Sequence, residues 1–176
     1  MLTNVAKEYT SEAWELRGLF EKQLKELYWA EKVMVPLLSD TINNATSKDL
    51  VAALEDHAAQ TISHGTRLEK IFEAIGIDAE MQKYEALNCL MKEGENFIIQ
   101  IKKGVVRDAA IISVLQKVKH YEIACYGTMR AFAIALKEED VVTLLENTLN
   151  EEKEADQILS AIAESHINVE AADKEI

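Results

Sequence analysis

RDAAIISVLQKVKHYEIACYGTMRAFA, residues 107–133, is the stretch on which the fold turns. Apolar residues recur through it at Ile111, Leu115, Val118, Cys125 and Met129, three or four positions apart or at multiples of that step. That is the period of an α-helix with one stripe turned to a core. Position 122 falls on the same stripe, and it is glutamate. The pattern predicts a long helix from about Val106 to Leu136, with a carboxylate where the core should be.

The same pattern extends outward in both directions. Downstream, a short acidic turn at Lys137 to Asp140 leads to a helix through Val141, Leu145, Leu149, Leu159 and Ile162. Upstream, 81–101 predicts a shorter helix with Leu87, Leu90, Met91, Phe97 and Ile98, weakened by Gly94 and ended by Lys102, Lys103 and Gly104. Before it, Ser47 is an N-cap candidate for a helix through Leu50, Leu54, Leu68, Ile71 and Ile75, with Gly76 as its stop. The first helix is predicted to start at a Ser11 cap and to run through Leu16, Phe20, Leu24, Leu27, Met34 and Leu38. Pro36 removes one of its backbone bonds and should kink it just after Glu31. Residues 1–167 are read as one helical domain and 168–176 as a polar, frayed tail.

The order is long, long, short, long, long. Tight connections make each pair of long helices antiparallel, and the middle segment crosses back along the bundle. This is an all-α fold, a ferritin-like four-helix bundle with a long crossover containing a short extra helix. With one proline and six glycines in 176 residues, the chain lacks the turn chemistry of a many-stranded β fold.

A net charge of −12 argues against nucleic acid as a partner, because phosphate binding relies on Lys and Arg. No apolar run reaches the ~20 residues needed to span a bilayer, and the N-terminus lacks a signal pattern, so a cytoplasmic protein is expected. Cys89 and Cys125 show no CxxC spacing and are expected to be buried thiols.

The chemistry lies in the interruptions of the stripes. Glu31 shares a face with 27 and 34, His57, Thr61 and His64 share one with 54 and 68, and Glu152 and Asp156 share one with 149 and 159. Each long helix thus carries an ionisable group on its core stripe. Reflecting the chain at short loops near 46 and 138 puts Glu31 level with about position 61 and Glu122 level with about position 154. The groups therefore lie within about one or two turns of a common depth. Clustered buried carboxylates need compensation, and a cation supplies it. Glu31, His57, His64, Glu122, Glu152 and Asp156 are the candidate metal ligands, with carboxylate and imidazole donors suited to iron or manganese. The alternative is a hydrogen-bonded or lysine-paired polar layer that sets helix register. His57 and His64 are two turns apart and are not expected to share one ion. Tyr28 and Tyr126, a turn from Glu31 and Glu122, are read as core residues rather than partners of the site.

LYWAEKVM (27–34), DHAAQTISHGTRLEKIF (56–72), EALNCLMKEGENFI (85–98), LLENTLNEEKEAD (144–156) and the opening stretch with its HYEIACYGT block closely resemble the YciE/YciF family of bacterial stress-associated, ferritin-like proteins. The resemblance spans nearly the whole chain from Trp14 to Ile162. It implies a ferritin-like fold, a homodimer and a rubrerythrin-like di-iron or di-manganese centre, but no settled reaction. It matches Glu31, His57, Glu122, Glu152 and Asp156 to family positions, and departs at Gln60 and Lys119, where the family usually has Glu. These departures raise the local charge by nearly that of one iron ion. The expectation is that the Lys119 ammonium stands in for one metal, leaving one ion or none; the alternative is that Lys119 snorkels to the surface. Two functions follow: an oxidoreductase-type metalloprotein acting on peroxide, oxygen or Fe(II), or a non-enzymatic structural or partner-binding stress protein with a degenerate site. Mineral storage would need a closed shell, which nothing in the chain specifies.

Overall fold

The computed structural model describes residues 10–173. Six α-helices follow in order: α1 Ser11–Asn44, α2 Lys48–Ile75, α3 Glu85–Gln100, α4 Val105–Ala135, α5 Glu139–Ile162 and a short α6, Asn168–Ala172. A π-helical turn at Ala163–Ile167 joins α5 to α6. Among the described residues there is no strand. The long helices form a ring in which α1 packs on α2, α2 on α5, α5 on α4 and α4 on α1, with α3 laid mainly along α4. This is the expected ferritin-like bundle with its helical crossover.

Local chemistry sets most boundaries. Ser47 Oγ accepts from the backbone N–H of Leu50 at the start of α2. Gly76 ends α2 in the left-handed region, at φ 75°, where a side chain would be strained. The start of α1 differs from expectation by one residue: Thr10, not Ser11, is the N-cap, and its hydroxyl accepts from Ala13 N–H. Pro36 lies inside α1, which stays helical to Asn44. Proline removes one intrahelical bond, and the packing of Met34 and Leu38 in the core holds the helix on both sides of it.

Three further expectations change. Residues 168–172 are helical rather than frayed, because Ile167 buries its side chain in the core and anchors the chain just before them; 174–176 lie outside the described residues. Cys89 is exposed on α3, since Leu87 and Met91 take the inward positions of that helix. Cys125 is only half-buried, and Tyr126 occupies the inward position instead. The inward stripe of α4 therefore steps through Lys119, Glu122, Tyr126, Met129 and Ala133.

Each end of the bundle is pinned by a buried charged residue. At one end the Asp108 carboxylate, on the first turn of α4, accepts from Thr46 N–H (2.9 Å), Thr46 Oγ–H (2.5 Å) and Ser47 N–H (2.8 Å). The α1–α2 turn is thereby tied to the start of α4, so α2 and α4 run parallel. At the other end the Arg17 guanidinium donates to Glu21, to Glu138 in the α4–α5 turn, and to the carbonyl of Ile75 at the end of α2. The crossover is held where Gln82 N–H donates to the Lys25 carbonyl of α1, and where Tyr84 stacks on Tyr121 of α4 at 5.1 Å. Gly94 of α3 then faces Val114, whose Cγ1 would lie 3.2 Å from an added Cβ, so the glycine lets α3 approach α4 closely.

Hydrogen bonds to a charged acceptor contribute about 1.5–3 kcal/mol each, less than additively. Asp108→Ala is therefore expected to lower unfolding free energy by roughly 3 kcal/mol in a urea titration, without loss of helix content in the folded baseline. An unchanged midpoint would show that the end-pin contributes nothing.

Candidate metal centre

The apolar core is divided in two. One cluster gathers Met34, Leu38, Leu54, Val118 and Leu159; the other gathers Phe20, Leu27, Leu68, Met129 and Leu149. Between them lies a layer of polar side chains, all buried: Glu31, His57, Thr61, His64, Lys119, Glu122 and Glu152. Every long helix contributes to it, as the interrupted stripes predict.

Lys119 is the pivot. Its side chain is fully buried, and the ammonium donates to Glu122 Oε2 at 2.5 Å and to Glu152 Oε2. It does not snorkel outward. Burial disfavours its charge, but the two carboxylates outweigh that and hold its pKa above the ordinary lysine value. Glu122 and Glu152 respond in opposite directions. Burial and the neighbouring Glu152 charge push the Glu122 carboxyl well up. Glu152 is buried too, but Lys119 and His64 together pull it below the usual carboxylate range.

His64 faces three carboxylates. Its Nε2–H donates to Glu151 Oε2 at 2.8 Å. Glu151 is itself clamped by both guanidinium nitrogens of Arg67, at 2.6 and 2.7 Å, and Arg67 also donates to Thr148. This fixes the ring so that Nδ1 points inward, 3.1 Å from Glu152 Oε1 and 3.5 Å from Glu31 Oε1. Neither approach has hydrogen-bond geometry, but both are at ion-pair distance, so Nδ1 is held by charge rather than by a hydrogen bond. Burial disfavours the imidazolium, yet Glu152 and Glu31 outweigh it and push the pKa up to about 10. Tyr126 donates to Glu31 Oε1 at 2.5 Å, and burial beside that carboxylate raises its own pKa well above the ordinary phenol.

Glu31, His64 and Glu152 each present a ligand atom within 4.8 Å of the others. Glu31 Oε2, His64 Nδ1 and Glu152 Oε1 are all buried without a hydrogen-bond partner. That donor set fits one hard or borderline cation such as iron or manganese. It does not fit the two-ion centre implied by the family resemblance. A second ion shared by Glu122 and Glu152 would have to take the place of the Lys119 ammonium. Gln60 is half-buried beside the layer and supplies no charge.

The remaining candidates are placed differently. Glu122 belongs to the layer through Lys119, and its Oε1 has no partner. His57 is buried with both ring nitrogens unpartnered; burial, reinforced by the Lys119 charge, pushes its pKa down to about 3. It does not join the three converging ligands. Asp156 does not either: it is partly buried on α5, and its Oδ1, which makes no hydrogen bond, lies 3.4 Å from the exposed His120. Tyr126 is a direct partner of Glu31, contrary to its reading as plain core, whereas Tyr28 instead donates to the exposed Glu69. The reading of the stripes missed Arg67 and Glu151. Arg67 is three residues after His64 and Glu151 adjoins Glu152, so both flank site residues at spacings that a search for supporting partners would have found.

Residues 15–172 match the family described as Domain of unknown function (DUF892). Protein YciF of Escherichia coli (strain K12) is 32% identical over 160 residues, which cover 90% of this chain and 96% of YciF. Among solved structures, that of the E. coli stress protein YciF superposes with a TM-score of 0.83 at 32% identity, covering 87% of this chain and 97% of that one. YcfI of Rhodopseudomonas palustris superposes with a TM-score of 0.81 at 33% identity, covering 87% and 98%. With the family match spanning nearly all of the four-helix bundle, the chain belongs to the DUF892 family and is a YciF-like protein.

Proposed function

We propose that this chain is a stress-associated, ferritin-like metalloprotein that holds one iron or manganese ion on Glu31, His64 and Glu152 and acts on peroxide, oxygen or Fe(II). The observation that carries the reading is the convergence of Glu31, His64 and Glu152, three buried side chains from three helices whose ligand atoms lie within 4.8 Å of one another. Each of the three also keeps a buried atom that makes no hydrogen bond; buried polar groups in folded proteins nearly always have one, and a bound ion would satisfy these atoms instead. The E. coli relative YciF, a stress protein, supports that physiological setting.

Iron or manganese held there would supply a redox couple for peroxide or oxygen chemistry. The chain's own residues do the positioning. Tyr126 holds Oε1 of Glu31, the oxygen 3.5 Å from His64 Nδ1, and leaves Oε2 without a hydrogen bond. The Arg67–Glu151 pair holds His64 by Nε2 and leaves Nδ1 facing the Glu31 and Glu152 carboxylates, where a bound ion would take the place of its proton. Lys119 takes one oxygen of Glu152, leaves Oε1 available, and neutralises the layer so that a single cation suffices. The apolar clusters on either side exclude bulk water.

A second reading rests on Lys119 itself. Lys119 and protonated His64 already offset much of the carboxylate charge, so the layer can serve as a register device with no ion and no catalysis. Elemental analysis of protein purified without chelator or tag, then loaded with Fe(II) or Mn(II), separates the two. One ion per chain is expected, lost in Glu31→Gln and Glu152→Gln. No ion after loading would leave the register reading standing.

Two variants sharpen the assignment. Glu151→Gln, which loosens the hold on His64, is expected to weaken ion affinity by about 10–100-fold in a competition titration with a chelator. Lys119→Glu restores a carboxylate where the ammonium sits; it is expected to raise the loaded content to two ions per chain, and a content that stays at one would refute the idea that lysine replaces a metal. Lys119→Met, by contrast, leaves Glu122 and Glu152 unpaired. In the metal-free protein it should cost about 3–5 kcal/mol of stability by urea titration.

A further inference from the structure

The three candidate ligands are at most 1% exposed, so an ion cannot reach them directly from solvent. A cleft of about 610 Å3 opens between α2 and α5. Small side chains, Ala52, Ala59 and Ala155, leave it room, and Asp56 and Glu154 line it with carboxylates, while no lysine or arginine does. A third acid in the lining, Asp49, is paired with His166 at 2.9 Å.

His57 also lines the cleft. It is only 6% exposed, and neither ring nitrogen has a hydrogen-bond partner. The charges of Lys119, Glu152 and His64 all act on it, so it stands between the cleft and the polar layer. From His57 the inward stripe of α2 continues to Thr61, whose buried hydroxyl also makes no hydrogen bond, and then to His64, whose Nδ1 faces the Glu31 and Glu152 carboxylates. Steps of four and three residues put these groups on one face, spread over about 10 Å of helix axis. A row of donor atoms without hydrogen bonds from a carboxylate-lined cleft to a ligand set is hard to explain as packing, because each such atom carries a desolvation cost. Neither the His57 ring nor the Thr61 hydroxyl hydrogen-bonds to another member of the layer.

We propose that the α2–α5 cleft is the cation entry route of this protein: Asp56 and Glu154 draw in a hydrated divalent metal ion, His57 takes it at the base of the cleft, and Thr61 relays it to His64. The inference rests on the one-ion reading above. Neutral imidazole is the form that accepts a metal ion, and burial beside Lys119 keeps His57 neutral. The carboxylates act at longer range, by raising the local concentration of cations.

The test is the rate of metal uptake, read apart from any catalysis. Co(II) alone is mixed with the metal-free full chain in a stopped-flow instrument, and binding is followed by its visible absorption; the final stoichiometry is measured separately. Three variants are compared, each checked for unchanged helix content and melting. Ala155→Phe fills the cleft, His57→Leu removes the receiving ligand, and the pair Asp56→Asn with Glu154→Gln removes the charge.

The rim pair is expected to slow uptake on the order of tenfold at low salt and to flatten its dependence on ionic strength. Ala155→Phe and His57→Leu are expected to slow it further. Ala155→Phe and the rim pair should still reach one ion per chain at the end. Uptake at the wild-type rate in both Ala155→Phe and His57→Leu would overturn the route. A lower final stoichiometry in His57→Leu would make His57 a resident ligand and overturn its staging role. Absence of Co(II) binding in the wild-type chain would overturn the ion site itself, a failure distinct from wild-type binding by another path.

Discussion

The constraint on which the structure depends is the burial of one ammonium group. A lysine side chain withdrawn fully from water loses several kcal/mol of hydration unless opposite charge meets it with good geometry. Here that charge comes from Glu122 on the same helix and Glu152 on the next. The Glu152 contact cannot form unless α4 and α5 stand at one relative height. From Glu152 the chain of contacts passes to His64 on α2, then to Glu31 on α1, and returns to α4 through Tyr126. One circuit of polar contacts therefore closes around all four helices. It divides the apolar core into two halves that would each tolerate helix sliding more readily than the circuit does.

The bundle ends reinforce the same alignment. Asp108 ties the α1–α2 turn to α4, and Arg17 ties α1 to the end of α2 and to the α4–α5 turn. Both are buried charged residues whose partners are largely backbone groups or turn residues, so they fix helix ends as the central layer fixes helix middles. A site made of single contributions from several helices needs this. A one-residue shift of any helix would rotate its ligand by about 100° away from the others. The ligand atoms of Glu31, His64 and Glu152 can converge only because register is set at three levels. On the α2–α5 face, the alanines at 52, 59 and 155 leave room for the cleft that opens toward this layer.

Much of this was legible in the chain. The stripes through Leu27, Glu31 and Met34, and through Val118 and Glu122, show both the helices and the places where their core faces turn polar. Reflection at the short turns brings those places to a common depth, because helix rise is constant. What reflection does not resolve is which group meets which. Position 61 lies opposite Glu31 by counting, yet Glu31 meets His64, one turn further along. Side chains lean toward the N-terminus of their own helix, and on antiparallel helices these leans are opposed, so Glu31 and His64 lean toward each other. Periodicity also placed Cys125 on the core face of α4, where Tyr126 in fact turns inward; both positions lie three or four residues from Glu122 and from Met129, so spacing alone cannot choose between them.

The sequence by itself determined an all-helical bundle, its order of helices, its family and the depth at which charge enters the core, because each of these follows from local period and from the chemistry of single residues. Only the tertiary structure decided the direction of Lys119. Its flexible stem can carry the ammonium outward or inward, and the inward course wins only when Glu122 and Glu152 are already positioned to receive it. The same is true of Tyr126 on Glu31 and of the Arg67–Glu151 clamp on His64. Such pairings join residues far apart in the chain. Their energy depends on distance and burial in the folded state, which no local pattern encodes.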